Sequence, residues 1–200
     1  MSSPRVLVVM ALEVESQGLF RERGVDVLYT GVGKVNAAYR LTRRLAEERT
    51  RGATPLVVNL GTAGSRKHAT GSVLACRRFV QRDMDVSGLG FPHGHTPFED
   101  AVPAALEFPA VFEELPHATC GSGDRFEAHS DDLDFDVVDM EAYALAKVCW
   151  FEHVPFACAK FVTDGADGSA GSDWHSNLPV AARAFLKLHD ELVARRAMLP

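Results

Sequence analysis

Short apolar runs rich in β-branched residues alternate with longer segments of helical periodicity along the whole chain. The run from Arg5 to Met10 is continuously apolar after its first residue, which is typical of a strand covered on both faces. Val35 to Arg51 instead places Ala38, Leu41 and Leu45 on one face and arginine and glutamate on the other, as in an amphipathic helix. This alternation predicts an α/β fold with a largely parallel sheet and helices on both of its faces.

The rest of the chain follows the same alternation and contains no internal repeat and no linker. Further strands are predicted over 26–30, 55–60, 73–81 and 155–163, and further helices over 13–23, 103–116, 139–151 and 179–196. The stretch from Gly165 to Ser176, rich in Gly, Ser and Asp, lies between a strand and a helix and is predicted to be one mobile loop. Two hundred residues organised in this way predict a single domain spanning 1–200.

The composition excludes several classes of function. The chain carries 21 Lys and Arg against 27 Asp and Glu, a net charge of −6, whereas a dedicated nucleic-acid-binding protein carries a basic stripe. No run approaches the roughly 20 apolar residues that a membrane span needs, and the N-terminal residues lack the apolar segment and cleavage site of a signal peptide. We therefore expect neither a nucleic-acid partner nor a membrane partner.

The cysteines indicate the compartment. Cys76, Cys120, Cys149 and Cys158 form no CxxC pair, and each lies in an apolar stretch. This pattern predicts free, buried thiols in a reducing cytoplasm. The eight histidines are scattered, so no metal site is predicted.

Glycines and carboxylates are concentrated in the segments that follow the predicted strands. In open α/β sheets, ligands bind beyond the carboxyl ends of the strands, so these segments are the candidates for a site. Taken singly, Glu13, Glu15 and Glu141 could each serve only to complement a helix dipole. Phe126 could be a core residue, and Asp164 could be a turn former. Their joint placement is what favours a shared site.

Two nucleotide-binding patterns are incomplete. Gly33-Lys34 resembles the end of a phosphate-binding loop, but Leu28 and Val35 stand where that loop requires Gly and Ser or Thr. Gly31-Val32-Gly33 resembles a dinucleotide fingerprint, but Ala37 stands near the third glycine position. A generic dinucleotide-dependent oxidoreductase is therefore excluded, and no cofactor is predicted.

Seven segments, in a fixed order and covering most of the chain, together resemble the nucleoside phosphorylase/nucleosidase superfamily, and within it the 5′-methylthioadenosine/S-adenosylhomocysteine nucleosidases. They are Ala11-Leu12-Glu13-Val14-Glu15, Thr30-Gly31-Val32-Gly33-Lys34-Val35-Asn36-Ala37-Ala38, Asn59-Leu60-Gly61-Thr62-Ala63-Gly64, Arg82-Asp83-Met84-Asp85-Val86, Ser122-Gly123-Asp124-Arg125-Phe126, Val138-Asp139-Met140-Glu141-Ala142 and Thr163-Asp164-Gly165-Ala166-Asp167.

The resemblance implies a three-layer α/β/α sandwich around a central mixed, largely parallel sheet, assembled as a homodimer. It implies hydrolysis of the N-glycosidic bond of a purine nucleoside. Asp164 then corresponds to the acid that protonates the purine at N7. Glu15 corresponds to the carboxylate that orients and deprotonates the attacking water. Such a bond breaks through an oxocarbenium-like sugar, so an acid for the base and a carboxylate for the water are the groups the chemistry needs.

Substrate-binding residues are implied in the same way. Met140 and Glu141 correspond to ribose contacts, and Phe126 corresponds to a stacking platform for the base. The backbone of Glu127 would read the edge of the base, and Trp174 would cover the 5′ side. The residues implied to line the water and ribose side are Thr62, Ala63 and Gly64.

Two other functions fit the same segments. Phosphorolysis would need a dianion site, and the carboxylates of Glu13 and Glu15 would repel phosphate there. Arg66 and Lys67 argue the other way, but they are interpreted as surface charges, so hydrolysis is favoured. A nucleoside-binding protein without catalysis is the other alternative, and the presence of Glu15, Glu141 and Asp164 together argues against it.

Overall fold

Eight strands and four α-helices alternate through the residues that this computed structural model describes, which are 5–99, 101–125, 134–165 and 170–197, the last range with side chains from 174 onward. The strands are β1 (Val6–Met10), β2 (Val27–Tyr29), β3 (Leu56–Gly64), β4 (Val73–Gln81), β5 (Ala105–Glu107), β6 (His117–Ser122), β7 (Val137–Asp139) and β8 (Phe156–Asp164). The helices are α1 (Leu19–Glu22), α2 (Lys34–Thr50), α3 (Ala142–Phe151) and α4 (Ala170–Ala197).

Five of the strands pair in a closed ring, in the order β3, β8, β4, β6 and β7. The ring closes where Gly64 of β3 pairs with Val138 of β7. β1 and β2 extend from β3, and β5 extends from β4. The pairings β1–β2, β1–β3, β3–β8, β4–β6 and β6–β7 are parallel and the others are antiparallel. The predicted α/β class with a mixed, largely parallel sheet is confirmed, while the three-layer sandwich stays a prediction.

The side chains of β1 alternate between two apolar cores. Leu7 and Val9 pack in a cluster with residues of α2 and α3, whereas Val8 and Met10 pack with residues of α4. All four are fully buried, and burial of such a side chain contributes about 1.5–3 kcal/mol. The uninterrupted apolar run of β1 therefore reflects helices on both of its faces, as predicted.

One predicted helix is interrupted, and another is wrong. Residues 13–23 form a short 3-10 turn (Glu13–Ser16) and α1, because Gln17 and Gly18 between them adopt left-handed backbone angles, with φ of 48° and 75°. Residues 103–116 contain β5 and turns. Leu106 is fully buried opposite Phe79 of β4, so tertiary packing overrides the local helical pattern.

The predictions also misplaced two helix starts. Residues 137–139 form β7, so the helix predicted from 139 begins at Ala142. The predicted mobile loop is wrong from residue 170 onward, because α4 begins at Ala170 and contains Pro179 in its interior. The helix predicted over 179–196 therefore begins nine residues earlier, at Ala170. Residues 166–169 lie outside the described part of the chain.

The four cysteines are buried and free, as predicted. Across the described ranges, no helix combines the length and apolar character that crossing a membrane requires, and this includes the 28 residues of α4.

Candidate active site

A cavity of about 290 Å³ opens where β3, β7 and β8 end. Carboxyl ends of neighbouring strands in an α/β sheet converge on one place, which explains its position. Eight of the ten predicted site residues line it: Glu15, Thr62, Ala63, Gly64, Met140, Glu141, Asp164 and Trp174. The other two, Phe126 and Glu127, lie outside the described residues. The structure therefore brings together the predicted residues that it describes.

Glu15 lies in the turn that follows β1 and is 3% exposed. Its Oε1 accepts hydrogen bonds from the backbone N–H and the hydroxyl of Thr62, both at 2.9 Å. Its Oε2 accepts one from the backbone N–H of Leu12 at 3.0 Å. These three donors fix the carboxylate at the wall of the cavity.

Trp174 reaches the same wall from α4. Its indole Nε1–H donates to Thr62 Oγ1 at 2.9 Å, and the side chain is half-buried against the cavity. The predicted place of Trp174 at the cavity agrees with the structure, but the residue lies on a helix and not on a loop.

Asp164 ends β8 next to Gly64 of β3 and is 7% exposed. Thr163 Oγ1 donates to Asp164 Oδ2 at 2.7 Å. Asn177 of α4 holds the same stretch of strand, since its Nδ2 donates to the carbonyl of Thr163 at 3.0 Å. Asp164 is thus a buried carboxyl group at the cavity, on a different strand from the one that fixes Glu15.

Glu141 lies at the start of α3 and is 7% exposed, but it does not cap that helix with its side chain. Its Oε1 accepts from the backbone N–H of Gly33 at 2.8 Å. Gly33 has φ of 95°, a conformation that glycine adopts without strain, so the glycine aims its N–H at the carboxylate. Burial, reinforced by the charge of Asp139, raises the pKa of Glu141 to about 7.

The cap of α3 comes from Asp139 and Ser122. Asp139 Oδ2 accepts from the N–H of Ala142, and Ser122 Oγ accepts from the N–H of Tyr143, both at 2.8 Å. The helix-dipole explanation considered for Glu141 therefore applies to Asp139, and the Glu141 side chain remains directed to the cavity.

Lys160 and Asp139 form a buried ion pair in the cavity wall that the sequence reasoning missed. Lys160 Nζ lies 2.8 Å from Asp139 Oδ2. Burial alone would lower the pKa of Lys160, but the charge of Asp139 raises it well above its ordinary value. A lysine inside the apolar run Phe156–Asp164 was the available signal, because a charge in a covered strand requires a buried partner.

Lys34, the neighbour of the Gly33 that bonds to Glu141, joins several chain segments near the cavity. Its Nζ lies 2.5 Å from both carboxylate oxygens of Asp83 and 3.4 Å from Asp124 Oδ2, and its backbone N–H donates to Asp124 Oδ1 at 2.9 Å. These bonds join the first residue of α2 to the segments after β4 and β6. Arg82 and Arg125 from the latter two segments also line the cavity.

Three charged residues weighed in the choice between water and phosphate do not line the cavity. Glu13 is exposed and lies 3.7 Å from Arg21, so its predicted part in repelling phosphate is wrong. Lys67 pairs with Asp134 at 2.7 Å, and Arg66 is exposed, which agrees with their interpretation as surface charges.

A family model described as the phosphorylase superfamily matches residues 16–194. With nearly the whole chain matched and a cavity of paired carboxylates at the strand ends, the chain belongs to the phosphorylase superfamily.

Within this superfamily, the similar proteins are 5′-methylthioadenosine/S-adenosylhomocysteine nucleosidases. The enzyme of that name from Actinobacillus succinogenes is 30% identical over 84% of this chain and 79% of its own length. The crystal structure of the Neisseria meningitidis nucleosidase in complex with methylthio-immucillin-A has a TM-score of 0.77 and 26% identity, over 94% of this chain and 98% of that one. A futalosine hydrolase from Helicobacter pylori shares the fold, with a TM-score of 0.83 at 22% identity over 96% and 98% of the two chains.

Proposed function

We propose that this protein hydrolyses the N-glycosidic bond of a purine nucleoside of the 5′-methylthioadenosine/S-adenosylhomocysteine class, releasing the free base and the ribose moiety. The observation that carries the proposal is the pair of buried carboxyl groups, Glu15 and Asp164, held at one cavity by different strands. The family of the chain and the names of its relatives agree with this chemistry.

In the proposed reaction, Asp164 donates a proton to N7 of the purine while the glycosidic bond breaks. The base leaves as a neutral molecule, and the positive charge that develops on the sugar is stabilised by the nearby carboxylates. Glu15 accepts a proton from the water that attacks the anomeric carbon. Because three hydrogen bonds hold the Glu15 carboxylate, it does not need to reorganise when the water binds.

The substrate is held by residues on both sides of these groups. Glu141 accepts hydrogen bonds from the ribose hydroxyls, and Met140 packs beside the sugar. Thr62, Ala63 and Gly64 line the water and ribose side, and Trp174 covers the 5′ substituent.

The same proposal includes stacking of the purine on Phe126 and recognition of its edge by the backbone of Glu127. It also includes assembly as a homodimer, a cytoplasmic location and a three-layer sandwich architecture.

Water is favoured over phosphate by the charges at the cavity. The Lys160 ammonium is already paired with Asp139, and the Glu15 carboxylate lines the cavity, where it would repel a phosphate dianion. Two unit charges of the same sign 4 Å apart repel by about 4 kcal/mol at an effective dielectric constant near 20. One observation favours phosphorolysis as the second candidate: the guanidinium-bearing residues Arg82 and Arg125 line the cavity.

The test is base release with and without inorganic phosphate. The purified protein is incubated with 5′-methylthioadenosine, S-adenosylhomocysteine, futalosine, adenosine and inosine, and the base and sugar products are separated. We expect release of adenine from the first two at rates that phosphate does not change, with a sugar that carries no phosphate at C1. Recovery of a ribose 1-phosphate would establish phosphorolysis. Cleavage of futalosine and of none of the other nucleosides would show that the protein is a futalosine hydrolase.

A further inference from the structure

A chain of two hydrogen bonds joins Trp174 to Glu15 through the hydroxyl of Thr62. The indole Nε1–H donates to Thr62 Oγ1 at 2.9 Å, and the same oxygen lies 2.9 Å from Glu15 Oε1. An indole N–H can only donate, and a hydroxyl has one proton to give. The direction of the chain is therefore fixed: the indole donates to the hydroxyl, and the hydroxyl donates to the carboxylate.

Among the residues that the structure describes, the hydrogen bonds of Glu15 leave one acceptor position open. A carboxylate has about four lone-pair positions, two on each oxygen. The N–H and O–H of Thr62 occupy both positions on Oε1, and the N–H of Leu12 occupies one on Oε2. The remaining position is on Oε2, and because Glu15 lines the cavity this oxygen is available to accept the proton of one water.

This arrangement depends on where the Thr62 hydroxyl proton points. A hydroxyl rotates about its C–O bond, and a second donor at its oxygen favours the orientation in which its proton points away from that donor. The indole is such a donor, and it is held in place because Asn177 joins α4 to β8 through its hydrogen bond to the carbonyl of Thr163. Hydrogen bonds in a chain also polarise and strengthen one another where water is excluded.

We infer that Trp174 is a positioning residue for Glu15: its indole N–H holds the Thr62 hydroxyl proton on Glu15, so that the carboxylate presents a single acceptor position to the attacking water. The inference rests on the proposed function, which assigns the water to Glu15. Trp174 thus acts on the Glu15 carboxylate through Thr62. This action is separate from any contact between the aromatic ring of Trp174 and the substrate.

A double-mutant cycle on turnover tests the inference. Trp174→Phe keeps an aromatic ring but removes the N–H, and Thr62→Val removes the hydroxyl at nearly constant volume. With 5′-methylthioadenosine as substrate, we expect Trp174→Phe alone to lower kcat about three- to tenfold, the size of one hydrogen bond. In the Thr62→Val background the same change should leave kcat unaltered, because the hydroxyl through which the indole acts is gone.

Thr62→Ser is the matched control, since it keeps the hydroxyl. Trp174→Phe should lower kcat in this background as it does in the native protein. Loss of ring contact with the substrate would instead raise KM in every background. Equal effects of Trp174→Phe on kcat with and without the hydroxyl would overturn the inference.

A second measurement does not depend on activity. The indole N–H of Trp174 gives one of two tryptophan side-chain signals in a ¹H–¹⁵N spectrum, the other being Trp150, and Trp174→Phe identifies it. Thr62→Val should move this signal and speed its exchange with water, whereas Thr62→Ser should not. An unchanged signal in Thr62→Val would overturn the inference. A protein that passes this test but cleaves none of the nucleosides would instead contradict the proposed function.

Discussion

The ammonium group of Lys160 lies 2.8 Å from Asp139 Oδ2, and each of the two side chains is 2% exposed. Asp139 also accepts hydrogen bonds from the N–H of Ala142 and the hydroxyl of Ser122, so several donors stabilise its negative charge. The Lys160 ammonium and these donors hold the pKa of the Asp139 carboxyl below its ordinary value, although burial alone would raise it. Both charges are therefore present at neutral pH, next to the proposed ribose and water sites.

Replacing one member of this pair is expected to destabilise the protein strongly. Lys160→Met leaves the Asp139 carboxylate buried without its cation, which costs about 3–5 kcal/mol. The additional change Asp139→Asn removes the uncompensated charge and should restore much of the loss. Urea unfolding of the single and double variants measures both effects, and a single variant as stable as the native protein would contradict the prediction.

The raised pKa of Glu141 predicts that the free energy of unfolding decreases as the pH rises. Its pKa is about 7 in the folded protein, against an ordinary value of 4.5, so the folded state binds more protons between these pH values. The contribution of Glu141 to the free energy of unfolding is fully present below pH 4.5 and is lost as the pH rises through 7. The loss is at most about 3 kcal/mol at 1.36 kcal/mol per pKa unit.

Glu141→Gln does not titrate, so its unfolding free energy should fall less steeply from pH 5 to pH 8 than that of the native protein. Urea unfolding at intervals of one pH unit gives both curves. Parallel curves would show that the carboxyl group does not titrate in this range in the folded state.

Asp164→Asn should fold normally and lower turnover of 5′-methylthioadenosine by ~10²–10⁴, the usual contribution of a general acid. The amide can accept the hydrogen bond from Thr163 but has no acidic proton for the purine. Near-native turnover by this variant, with unfolding behaviour like that of the native protein, would place the acid elsewhere.

The ribose role of Glu141 predicts discrimination against substrates that lack a hydroxyl. The native enzyme should cleave 2′-deoxy analogues poorly, because a buried carboxylate then loses its partner, at a cost of about 1–3 kcal/mol. Glu141→Gln should impair binding and turnover together and reduce this preference. Equal kcat/KM for ribo- and 2′-deoxyribonucleosides in the native enzyme would contradict the assignment.

Sequence patterns predicted what depends on local chemistry. The apolar run of β1 required cover on both faces, and the carboxylates and glycines after the strands led to Glu15, Glu141 and Asp164. The ion pair of Lys160 with Asp139 joins positions 21 residues apart, and no local pattern specifies that pairing. The strand at Ala105–Glu107 was missed for the same reason, since it forms only by pairing with β4.

The start of α4 was missed for a different reason. The last helix was predicted to begin at Pro179, but contacts of Trp174 and Asn177 with β3 and β8 stabilise the helix before the proline. The place of Trp174 at the cavity was implied by the family resemblance. Its hydrogen bond to Thr62 could not be predicted, because it depends on how α4 packs across two strands.

The closed ring of five strands also limits the sheet edge to which a strand of another molecule could pair. A strand with one free side offers unpaired N–H and C=O groups on which another chain can template. The nine-residue strands β3, β4 and β8 lie within the ring and are paired on both sides over part of their length. In the part of the chain that the structure describes, the outermost strands are β2 and β5, with three residues each. A sheet rich in valine thus exposes only short strands to strand addition by neighbouring molecules.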